Sequence, residues 1–586
     1  MKKIKGFWLG FRNSFYETFL NGRSFAFWGL LTLFLNFILL HGQSFGSDLG
    51  YWRAWIADLQ QGIGHFGGDY PPLYVLWLKV VATFYSMSEL SLKLEYELKE
   101  FCEVPVILAH ISLVHFVWLR LRNRSWSVEF KTIAMLLVVA NPAIYLDGPV
   151  WGQVDVLPVT ICVWALWYAS RPKTYAIGMG LFMLGLLTKF QMVMFLPVFG
   201  ALSLRYRRII WKGLLSSIAV FGIVFLPFIV AGNFTKEFSQ AYMNTLGSYP
   251  FAAMNAGNLW MALVGNMTPD SRVLIEGAPS FLNPGFLGKI VFVLISLAVL
   301  VVTFLKRLSV GKIMQMAALN AFAFFMFLPC MHERYSLAAA VVAVASVPCV
   351  KRPQFIWAIM LSAVAFLNIS MIMALRGVDL WFWISLAGIA AMLVYALYIL
   401  LPTKYEKALC LIKKLPVPGI VPYALMVIVY AVDVVSTFAA MSESSYVLKE
   451  KEVFVYDLPL VSGTQGYGQT NIGKSVDGNP LHINGLLYVA GIGTHAPSRH
   501  VYRLPSNAKR FVVTCGVDDE TGNGDVEFII KLDEREIWRS GRMEGSKKAT
   551  ADLDISGGRK LILITDELGS NSYDHADWVN PIVVTE

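Results

Sequence analysis

Residues 212–231 read KGLLSSIAVFGIVFLPFIVA, 20 positions with one charged side chain. Because an α-helix rises about 1.5 Å per residue, a run of this length can cross the roughly 30 Å hydrocarbon core of a bilayer. Similar runs recur through the first three quarters of the chain and predict a polytopic α-helical membrane protein with about 13 spans. They lie at 25–40, 103–119, 129–146, 156–170, 175–188, 191–204, 285–305, 313–329, 336–350, 354–373, 380–401 and 417–439.

The composition supports this class. The chain has 586 residues, of which 56% are apolar and 15% are charged, and its mean hydropathy is +0.56. An ordinary soluble protein is closer to a quarter charged, so a soluble enzyme of this size is excluded. The 14% aromatic content excludes a disordered chain. The six cysteines show no CxxC or Cys/His spacing, so we predict neither a disulfide framework nor a Cys/His metal site.

Charge is unevenly distributed along the chain. From Lys449 onward there are 15 Lys and Arg against 20 Asp and Glu, so the first 448 residues carry a net charge of +14. Their basic residues form short clusters between apolar runs, which is typical of cytoplasmic loops and unlike a nucleic-acid-binding surface. The clusters lie at 120–124, 171–173, 205–208, 306–307, 351–352 and 404–414.

The basic clusters predict an orientation in the cell (inner or plasma) membrane. The segment 1–23 carries five basic residues and no cleavage site follows the next apolar run, so we expect an uncleaved first span and a cytoplasmic N-terminus. All six clusters are cytoplasmic if residues 72–88 lie in or dip into the outer interface, which we favour. If 72–88 cross the membrane, the alternation inverts. In the favoured topology the outward segments are 42–71, 147–155, 232–284, 330–335, 374–379 and everything after Ser442.

Residues 445–586 differ in kind from the membrane domain, 1–444. They are polar and glycine-rich, with alternating runs at 510–514, 526–531 and 560–565. Turn signals at 522–525 and 556–558 separate these runs. Regular short strands between such turns are typical of a β-sandwich, and we predict an extracytoplasmic, jelly-roll-like one.

The first two outward motifs carry acidic residues close to the membrane surface. Asp48 lies just beyond the first span, and Asp69 and Tyr70 precede two prolines. Polar residues at membrane depth are costly and mark functional sites by default. The alternative interpretations are a helix N-cap for Asp48 and a plain turn at Asp69.

Two further motifs follow the third and fifth predicted spans along the chain. Segment 147–155 brings two carboxylates, Asp147 and Asp155, together with Trp151 and Gln153 in one tight loop. Lys189 and Gln191 stand between two short apolar runs. The alternatives are a surface loop with an interfacial tryptophan and a lysine that snorkels to the interface.

The long outer loop and the loop after it complete the set. Asn255 and Asn258 are candidate sugar ligands, with turn capping as the alternative. His332 and Arg334 make a good anion site because arginine binds phosphate through two parallel hydrogen bonds. The alternative is a local ion pair between Glu333 and Arg334. Together these motifs predict one outward cavity with carboxylates, basic groups and aromatic rings, suited to a lipid-borne sugar phosphate.

The ordered motifs resemble the GT-C superfamily of polytopic glycosyltransferases, which use polyprenyl-phosphate sugars. They are similar to the endoplasmic-reticulum glucosyltransferases that extend the lipid-linked N-glycan precursor, and to bacterial relatives of the second GPI-anchor mannosyltransferase. In that family an acidic residue of the first outer loop precedes a Trp-containing helix and an Asp-Tyr-Pro-Pro-Leu block. These features are met here by Asp48, by Trp52 or Trp55, and by residues 69–73.

The later motifs extend the resemblance to about residue 400. A Lys-Gln pair is met by Lys189 and Gln191 with Phe190 inserted, and a His-Glu-basic block by residues 332–334. The family's His-Phe-Gln-Tyr-Asn block is met loosely by residues 150–155, which are more similar to the Trp-Gly-Gln-x-Asp form of the bacterial relatives.

The resemblance implies an inverting transfer of a hexose, glucose or mannose, to a glycan or glycolipid acceptor. It makes Asp48 the general base and places the donor phosphate on His332, Arg334 and Lys189. It implies no metal or other cofactor. The remaining polar and aromatic residues would hold the sugar or the acceptor. They are Asp69, Tyr70, Trp151, Gln153, Asp155, Gln191, Asn255 and Asn258.

The C-terminal domain has a resemblance of its own. Residues 491–498, 516–519 and 574–578 look like the carbohydrate-binding module found beside some glycoside hydrolases, including family 98. The resemblance implies sugar contacts from four residues, with a structural corner of the sandwich as the alternative. These residues are Asp518, Asp574, Asp577 and Trp578.

Two other function classes are weighed against the enzyme. A glycolipid transporter or flippase with a receptor domain predicts internal repeats and buried mid-span charges, and the sequence shows neither clearly. A membrane-tethered lectin needs one span, and the many apolar runs argue against it. The expected partners are therefore the bilayer, a polyprenyl-phosphate sugar and a glycan or glycolipid acceptor, without nucleic acid.

Overall fold

The protein divides into two compact units. The described elements before residue 401 are helical, and those from residue 448 are mostly β-strands. The computed structural model describes residues 25–40, 46–87, 95–126, 128–244, 250–275, 277, 279–350, 355–373, 380–400, 448, 449, 451–479, 481–484, 486–488, 490–521, 524–545, 547–569 and 571–586. The boundary predicted at 444/445 and the apolar run 417–439 lie outside these residues.

The helical unit consists of helices joined by short irregular turns. In chain order they are α1 (Phe25–Leu40), α2 (Gly46–Gln61), α3 (Pro72–Met87), α4 (Glu95–Leu121), α5 (Val128–Val139), α6 (Pro142–Tyr145), α7 (Val156–Ala169), α8 (Tyr175–Leu186), α9 (Leu196–Arg205), α10 (Ile210–Val230), α11 (Phe234–Phe238), α12 (Leu259–Val264), α13 (Pro284–Leu305), α14 (Val310–Phe327), α15 (Leu337–Ser346), α16 (Phe355–Met373) and α17 (Trp381–Leu400).

Within the described ranges, seven helices are long and apolar enough to cross a membrane, and the prediction of a helical unit rich in apolar spans is confirmed. The count of about 13 spans is not confirmed, because several predicted runs form shorter helices. Residues 336–350, for example, give only the ten-residue α15. The seven segments are Leu98–Leu121, Phe130–Val150, Arg207–Val230, Pro284–Leu305, Val310–Phe327, Phe355–Met373 and Trp381–Ile399.

Helices α13 and α14 illustrate how the unit is layered. The most apolar window of α13 is 17% buried, whereas that of α14 is 83% buried. Large apolar side chains of α13, such as Leu294, are exposed on the surface of the helical unit, as expected for a helix in contact with lipid. The two helices approach closely at Gly288, where an added Cβ would lie 2.2 Å from the Phe327 carbonyl oxygen. Helix α14 is therefore central and α13 peripheral.

Caps define the beginnings of several helices. Asn141 accepts a hydrogen bond from the Ala143 amide at the start of α6, with Pro142 as the first helical residue. Asn283 accepts from the Phe286 amide at the start of α13. A side-chain oxygen at this position satisfies an amide that has no partner within the helix.

The predicted interfacial segment 72–88 contains α3, Pro72–Met87, which has 16 residues and is one of four shorter apolar helices. The Tyr74 hydroxyl donates to the Cys102 carbonyl oxygen at 2.9 Å, and the Trp77 indole donates to the Phe101 carbonyl oxygen at 3.0 Å. These bonds attach α3 to α4. Whether α3 crosses the membrane stays a prediction.

The C-terminal unit is a β-sandwich, as predicted. Its strands are β1 (Glu452–Phe454), β2 (Leu460–Gln465), β3 (Asn471–Ile472), β4 (Leu481–Ile483), β5 (Leu486–Tyr488), β6 (Gly491–His495), β7 (Ser498–Arg503), β8 (Ala508–Val517), β9 (Asp525–Leu532), β10 (Arg535–Glu544), β11 (Lys548–Asp554), β12 (Lys560–Glu567) and β13 (His575–Thr585). The three alternating runs found in the sequence lie in β8, β9 and β12.

Two antiparallel sheets face each other across one apolar core. The first has the order β11-β8-β13-β6-β3, with β1 also paired to β13, and the second has the order β10-β9-β12-β7-β2. Consecutive strands from β6 to β9 alternate between the sheets, as in a jelly roll. Trp578 lies at the centre of the core, where its ring meets Phe528 edge-on at 4.9 Å and its indole donates to Thr565.

A pair of buried carboxyl groups lies within this domain. Asp518 and Asp577 are both buried, and each shifts the pKa of the other. Burial raises the pKa of Asp518 to about 7, and burial together with the neighbouring Asp518 raises the pKa of Asp577 well above its usual range. The protonated form of at least one of these two carboxyl groups is therefore favoured in the folded domain.

This pair predicts that the sandwich loses stability as the pH rises. A carboxyl whose pKa is raised by folding binds its proton more tightly in the folded state, so stability falls between about pH 4 and pH 7. We expect Asp518→Asn, which cannot ionise, to reduce the difference in unfolding free energy between pH 5 and pH 8 by roughly 2–4 kcal/mol. Pulse proteolysis of the full-length protein in urea measures this difference. The surface variant Asp552→Asn is the control, and an unchanged pH dependence in Asp518→Asn would contradict the raised pKa of Asp518.

Candidate active site in the helical unit

An irregular turn positions the carboxylates of segment 146–155. Residues Leu146–Val150 form a single π-helical turn that contains Pro149. Gly152 then adopts φ +93°, a left-handed conformation that favours glycine. The Gln153 amide donates to the Asp147 carbonyl oxygen at 2.9 Å, which closes the loop. The chain thereby delivers Asp155 to the beginning of α7.

Asp155 forms a buried ion pair with Lys189. Lys189 Nζ lies 2.7 Å from Asp155 Oδ2, and the two residues are 5% and 4% exposed. Lys189 follows the end of α8, where the backbone is extended before a 3₁₀ segment, Phe190–Phe195. Its side chain therefore points into the protein rather than snorkelling to an interface.

Arg334 joins this pair from a distant part of the chain. Its Nε lies 4.0 Å from Asp155 Oδ2, and its Nη1 donates to Glu333 at 3.0 Å. The local ion pair considered from the sequence is thus present, alongside the contact to Asp155. The guanidinium also lies 5.3 Å from the Trp151 ring.

Aromatic rings and an amide surround the cations. Lys189 Nζ lies 5.7 Å from the Tyr70 ring and 5.9 Å from the Tyr335 ring. Gln191 donates from its side-chain amide to the Tyr335 hydroxyl at 2.9 Å. Burial raises the pKa of Tyr335 to about 12, and burial followed by the charge of Asp155 raises the pKa of Tyr70. Both phenols therefore stay protonated and can donate hydrogen bonds.

His332 lies beside the same group. Its ring is 5.4 Å from the Tyr335 ring, and its backbone forms a bridge with Met254 of the long outer loop. Burial, then the charges of Arg334 and Lys189, lower the pKa of His332 well below its usual range. His332 is therefore neutral near pH 7, and can donate or accept a hydrogen bond but brings no charge.

Three residues that were predicted to bind the sugar lie in other environments in the structure. Asp69 is exposed at the turn before α3. Asn255 adopts φ +53° and exchanges two hydrogen bonds with Asn266. Asn258 accepts from the amides of Trp260 and Met261 at the start of α12, which makes it a helix cap. The capping interpretation therefore replaces sugar binding for Asn258.

Asp48, the predicted general base, falls in the first turn of α2, but its side chain lies outside the described residues. Its role stays a prediction. Gln153 is buried within the loop that ends at Asp155.

Sequence reasoning left two carboxylates out of the candidate set. Glu103 of α4 and Asp147 of the π-helical turn are fully buried, and no donor among the described groups reaches their oxygens. A sequence signal was available for each, because Glu103 interrupts an apolar run and Asp147 opens the Asp147–Asp155 motif. Whether the two carboxylates come close together depends on how α4 packs against the π-helical turn, which these sequence signals do not reveal.

The predicted sugar-contacting residues of the sandwich are buried. Asp518, Asp574, Asp577 and Trp578 are all 1% exposed or less, and the Asp574 carboxylate accepts from the Asp525 amide. This burial fits the structural-corner interpretation, and a sugar contact at these residues stays a prediction.

One group of the described residues could hold a metal ion. Ligand atoms of Asp477, Glu520 and His575 lie within 4.8 Å of one another on the sandwich. Glu520 already accepts hydrogen bonds from Ser475, Asn479 and His575. Burial by itself would lower the pKa of His575, but the hydrogen bond to Glu520 raises this pKa above its usual value. The contacts of Glu520 and His575 therefore form a network of hydrogen bonds and ion pairs within the protein.

Residues 451–584 match the NPCBM/NEW2 domain family. The C-terminal sandwich is therefore a domain of this class, which confirms its resemblance to a carbohydrate-binding module.

Individual relatives agree with this assignment. Alpha-1,3-galactosidase B of Akkermansia muciniphila is 34% identical over 161 residues, which are 26% of this chain and 20% of that protein. The structure of CBM51 from Clostridium perfringens GH95 in complex with methyl-galactose is 30% identical, with a TM-score of 0.22, and the match covers 23% of this chain and 99% of that one.

The arabinosyltransferase EmbB from Mycobacterium smegmatis is similar over a longer stretch. The match covers 96% of this chain and 64% of that chain, with 13% identity and a TM-score of 0.37. The GT-C assignment of the helical unit stays a prediction.

The buried ion pair predicts an asymmetric response to substitution. Lys189→Met keeps the volume but leaves Asp155 buried without its cation, so we expect a loss of about 3–5 kcal/mol in unfolding free energy. The double variant Lys189→Met/Asp155→Leu removes both charges, and we expect it to regain much of that stability. Thermal and urea unfolding in detergent measure the series.

Lys173→Met serves as the matched control, because Lys173 is exposed and should change stability by less than about 0.5 kcal/mol. A Lys189→Met protein as stable as the control would show that the pair is not a buried interaction.

Proposed function

We propose that this protein is a membrane glycosyltransferase that moves a hexose, glucose or mannose, from a polyprenyl-phosphate donor to a glycan or glycolipid acceptor, with inversion. The transfer takes place on the outer face of the cell membrane. This proposal combines the motif resemblance, the apolar helices and the cluster around Asp155.

The observation that carries the proposal is the meeting of four distant chain segments at one place. Tyr70, Asp155, Lys189 and Arg334 come from segments predicted independently to face outward, and the contacts described above join them. Ionisable residues inside a helical membrane unit are costly unless they serve a ligand or each other. A structural ion pair needs two groups, whereas this cluster adds a second cation, phenols and an imidazole.

The cations suit a lipid-borne phosphate. Lysine and arginine carry three and five N–H donors, so each can contact a phosphate oxygen while it retains a carboxylate partner. As the bond from the sugar to the phosphate breaks, negative charge grows on the leaving polyprenyl phosphate. Lys189 and Arg334 stabilise that charge from fixed positions, and neutral His332 supplies a hydrogen bond.

The acceptor hydroxyl supplies the new bond. Its oxygen attacks the anomeric carbon, the bond between that carbon and the phosphate oxygen breaks, and the proton passes to the Asp48 carboxylate. A base of this kind must lie within hydrogen-bond reach of the hydroxyl. The single phosphate charge is balanced by protein cations, so the mechanism is proposed without a metal or other cofactor.

The NPCBM/NEW2 domain is proposed to bind a glycan on the same side of the membrane. Its relatives include a CBM51 domain solved with methyl-galactose. A glycan-binding domain would raise the local concentration of an acceptor for the membrane enzyme.

A glycolipid transporter with a receptor domain is the second candidate. The buried carboxylates Glu103 and Asp147, both inside apolar segments of spanning length, favour it, because transporters place such groups on substrate and proton pathways. The two functions differ in chemistry, since only the enzyme releases sugar-free polyprenyl phosphate.

The proposal is tested with radiolabelled polyprenyl-phosphate glucose, mannose, galactose, arabinose and N-acetylglucosamine. Membranes containing wild type should release polyprenyl phosphate from one donor, glucose or mannose. Asp48→Asn keeps the shape but cannot accept the proton, so we expect its rate to fall about 10²–10⁴-fold. Product lipid is measured by thin-layer chromatography.

Asp58→Asn, a change in the same helix α2, is the matched control and should retain activity. Equal release by wild type and Asp48→Asn would move the base elsewhere, with Asp69 and Asp155 tested next. Translocation of labelled lipid without release from any donor would replace the enzyme with the transporter.

A further inference from the structure

Three buried carboxylates of the helical unit, Glu103, Asp147 and Glu237, have no hydrogen-bond donor among the groups that the structure describes, and the first two lie close together. Glu103 and Asp147 are both 0% exposed, and all four of their oxygens lack a donor. Burial of a carboxylate is strongly unfavourable unless hydrogen bonds or cations compensate it. Glu103 and Asp147 therefore lack the compensation that hydrogen bonds from the described part of the protein would give.

The two carboxylates lie where α4 packs against the π-helical turn. A Cβ added at Gly148 would lie 3.5 Å from Glu103 Oε2 and 3.2 Å from Val106 Cγ1, so the glycine allows the close approach. Lys99 Nζ donates to the Val150 carbonyl oxygen one helical turn away. Asp147 directly precedes that glycine.

This acidic pair adjoins the cationic cluster. The Gln153 amide donates to the Asp147 carbonyl oxygen, and the same loop ends at Asp155, which pairs with Lys189. The site therefore has two sides, one with the cations and one with carboxylates that lack donors. A ligand that spans it presents negative charge at one end and hydrogen-bond donors at the other.

A divalent cation is a poor match for the acidic side. Among the described residues, the three-ligand group with atoms close enough for a metal lies on the sandwich, not here. Lys189 and Arg334 would also repel a cation bound at Asp147. A neutral molecule rich in hydroxyl groups meets no such repulsion, and a carboxylate makes short, strong hydrogen bonds with O–H donors.

We propose that Glu103 and Asp147 accept hydrogen bonds from the hydroxyl groups of a sugar, and that they are positioning residues for it. The inference rests on the proposed function, because it needs a sugar next to the phosphate that Lys189 and Arg334 bind. The sugar is the hexose of the donor or the terminal residue of the acceptor. An isoprenoid chain has no hydroxyl to offer, so these residues distinguish a sugar-bearing lipid from its sugar-free product.

The test compares two lipid probes by native mass spectrometry of the full-length protein in detergent. Polyprenyl-phosphate glucose or mannose, whichever wild type turns over, should bind about 10–100-fold more weakly to Glu103→Gln and Asp147→Asn. Sugar-free polyprenyl phosphate should bind all three proteins equally. Equal affinity for the sugar-free lipid also shows that the variants are folded.

A second arm identifies the source of the sugar. If donor affinity is unchanged but KM for methyl glucoside, mannoside or galactoside as acceptor rises at least tenfold with kcat retained, the carboxylates hold the acceptor sugar. Glu100→Gln, the same change on the same helix, should alter neither probe. Unchanged affinity and KM in both variants, or equal weakening for both lipids, would overturn the inference. Wild type that binds neither lipid would overturn the proposed function itself.

Discussion

The buried contact between Lys189 and Asp155 is the interaction on which the helical unit's interior depends. It joins the irregular segment after α8 to the beginning of α7, with 2.7 Å between Nζ and Oδ2. Two desolvated charges offset their lost hydration only if the geometry is good and further polar groups surround them. Arg334, Tyr70 and Tyr335 provide those surroundings, and their positions relative to one another follow from the pair.

The backbone around this pair is irregular for a related reason. A spanning helix satisfies its own amides and carbonyls, so non-helical backbone is tolerated at membrane depth only where protein or a cavity surrounds it. The π-helical turn Leu146–Val150 and the 3₁₀ segments Phe190–Phe195 and Glu333–Ser336 all border the cluster. Regular helices support the site, and the breaks between them supply its side chains.

Much of this arrangement could be predicted from the sequence. Apolar runs and basic clusters indicate which loops share a face, and so predict that Asp155, Lys189 and Arg334 meet. The contribution of Glu103 could not be predicted, because it depends on the rotation of α4 about its axis and on contact with Gly148. Asn258 and Trp578 were ambiguous for another reason. An asparagine amide can cap a helix or bind a sugar, and a tryptophan indole can fill a core or stack on a sugar ring. Only the burial and the contacts of each side chain distinguish the two roles.

The central claim is that the cluster recognises a phosphate on a lipid. Native mass spectrometry of the detergent-solubilised protein with polyprenyl phosphate and with neutral polyprenol of equal chain length tests it most directly. We expect wild type to retain the phosphate and lose the alcohol, and Arg334→Gln to reduce phosphate retention about tenfold or more. Equal retention of both lipids by wild type would contradict it.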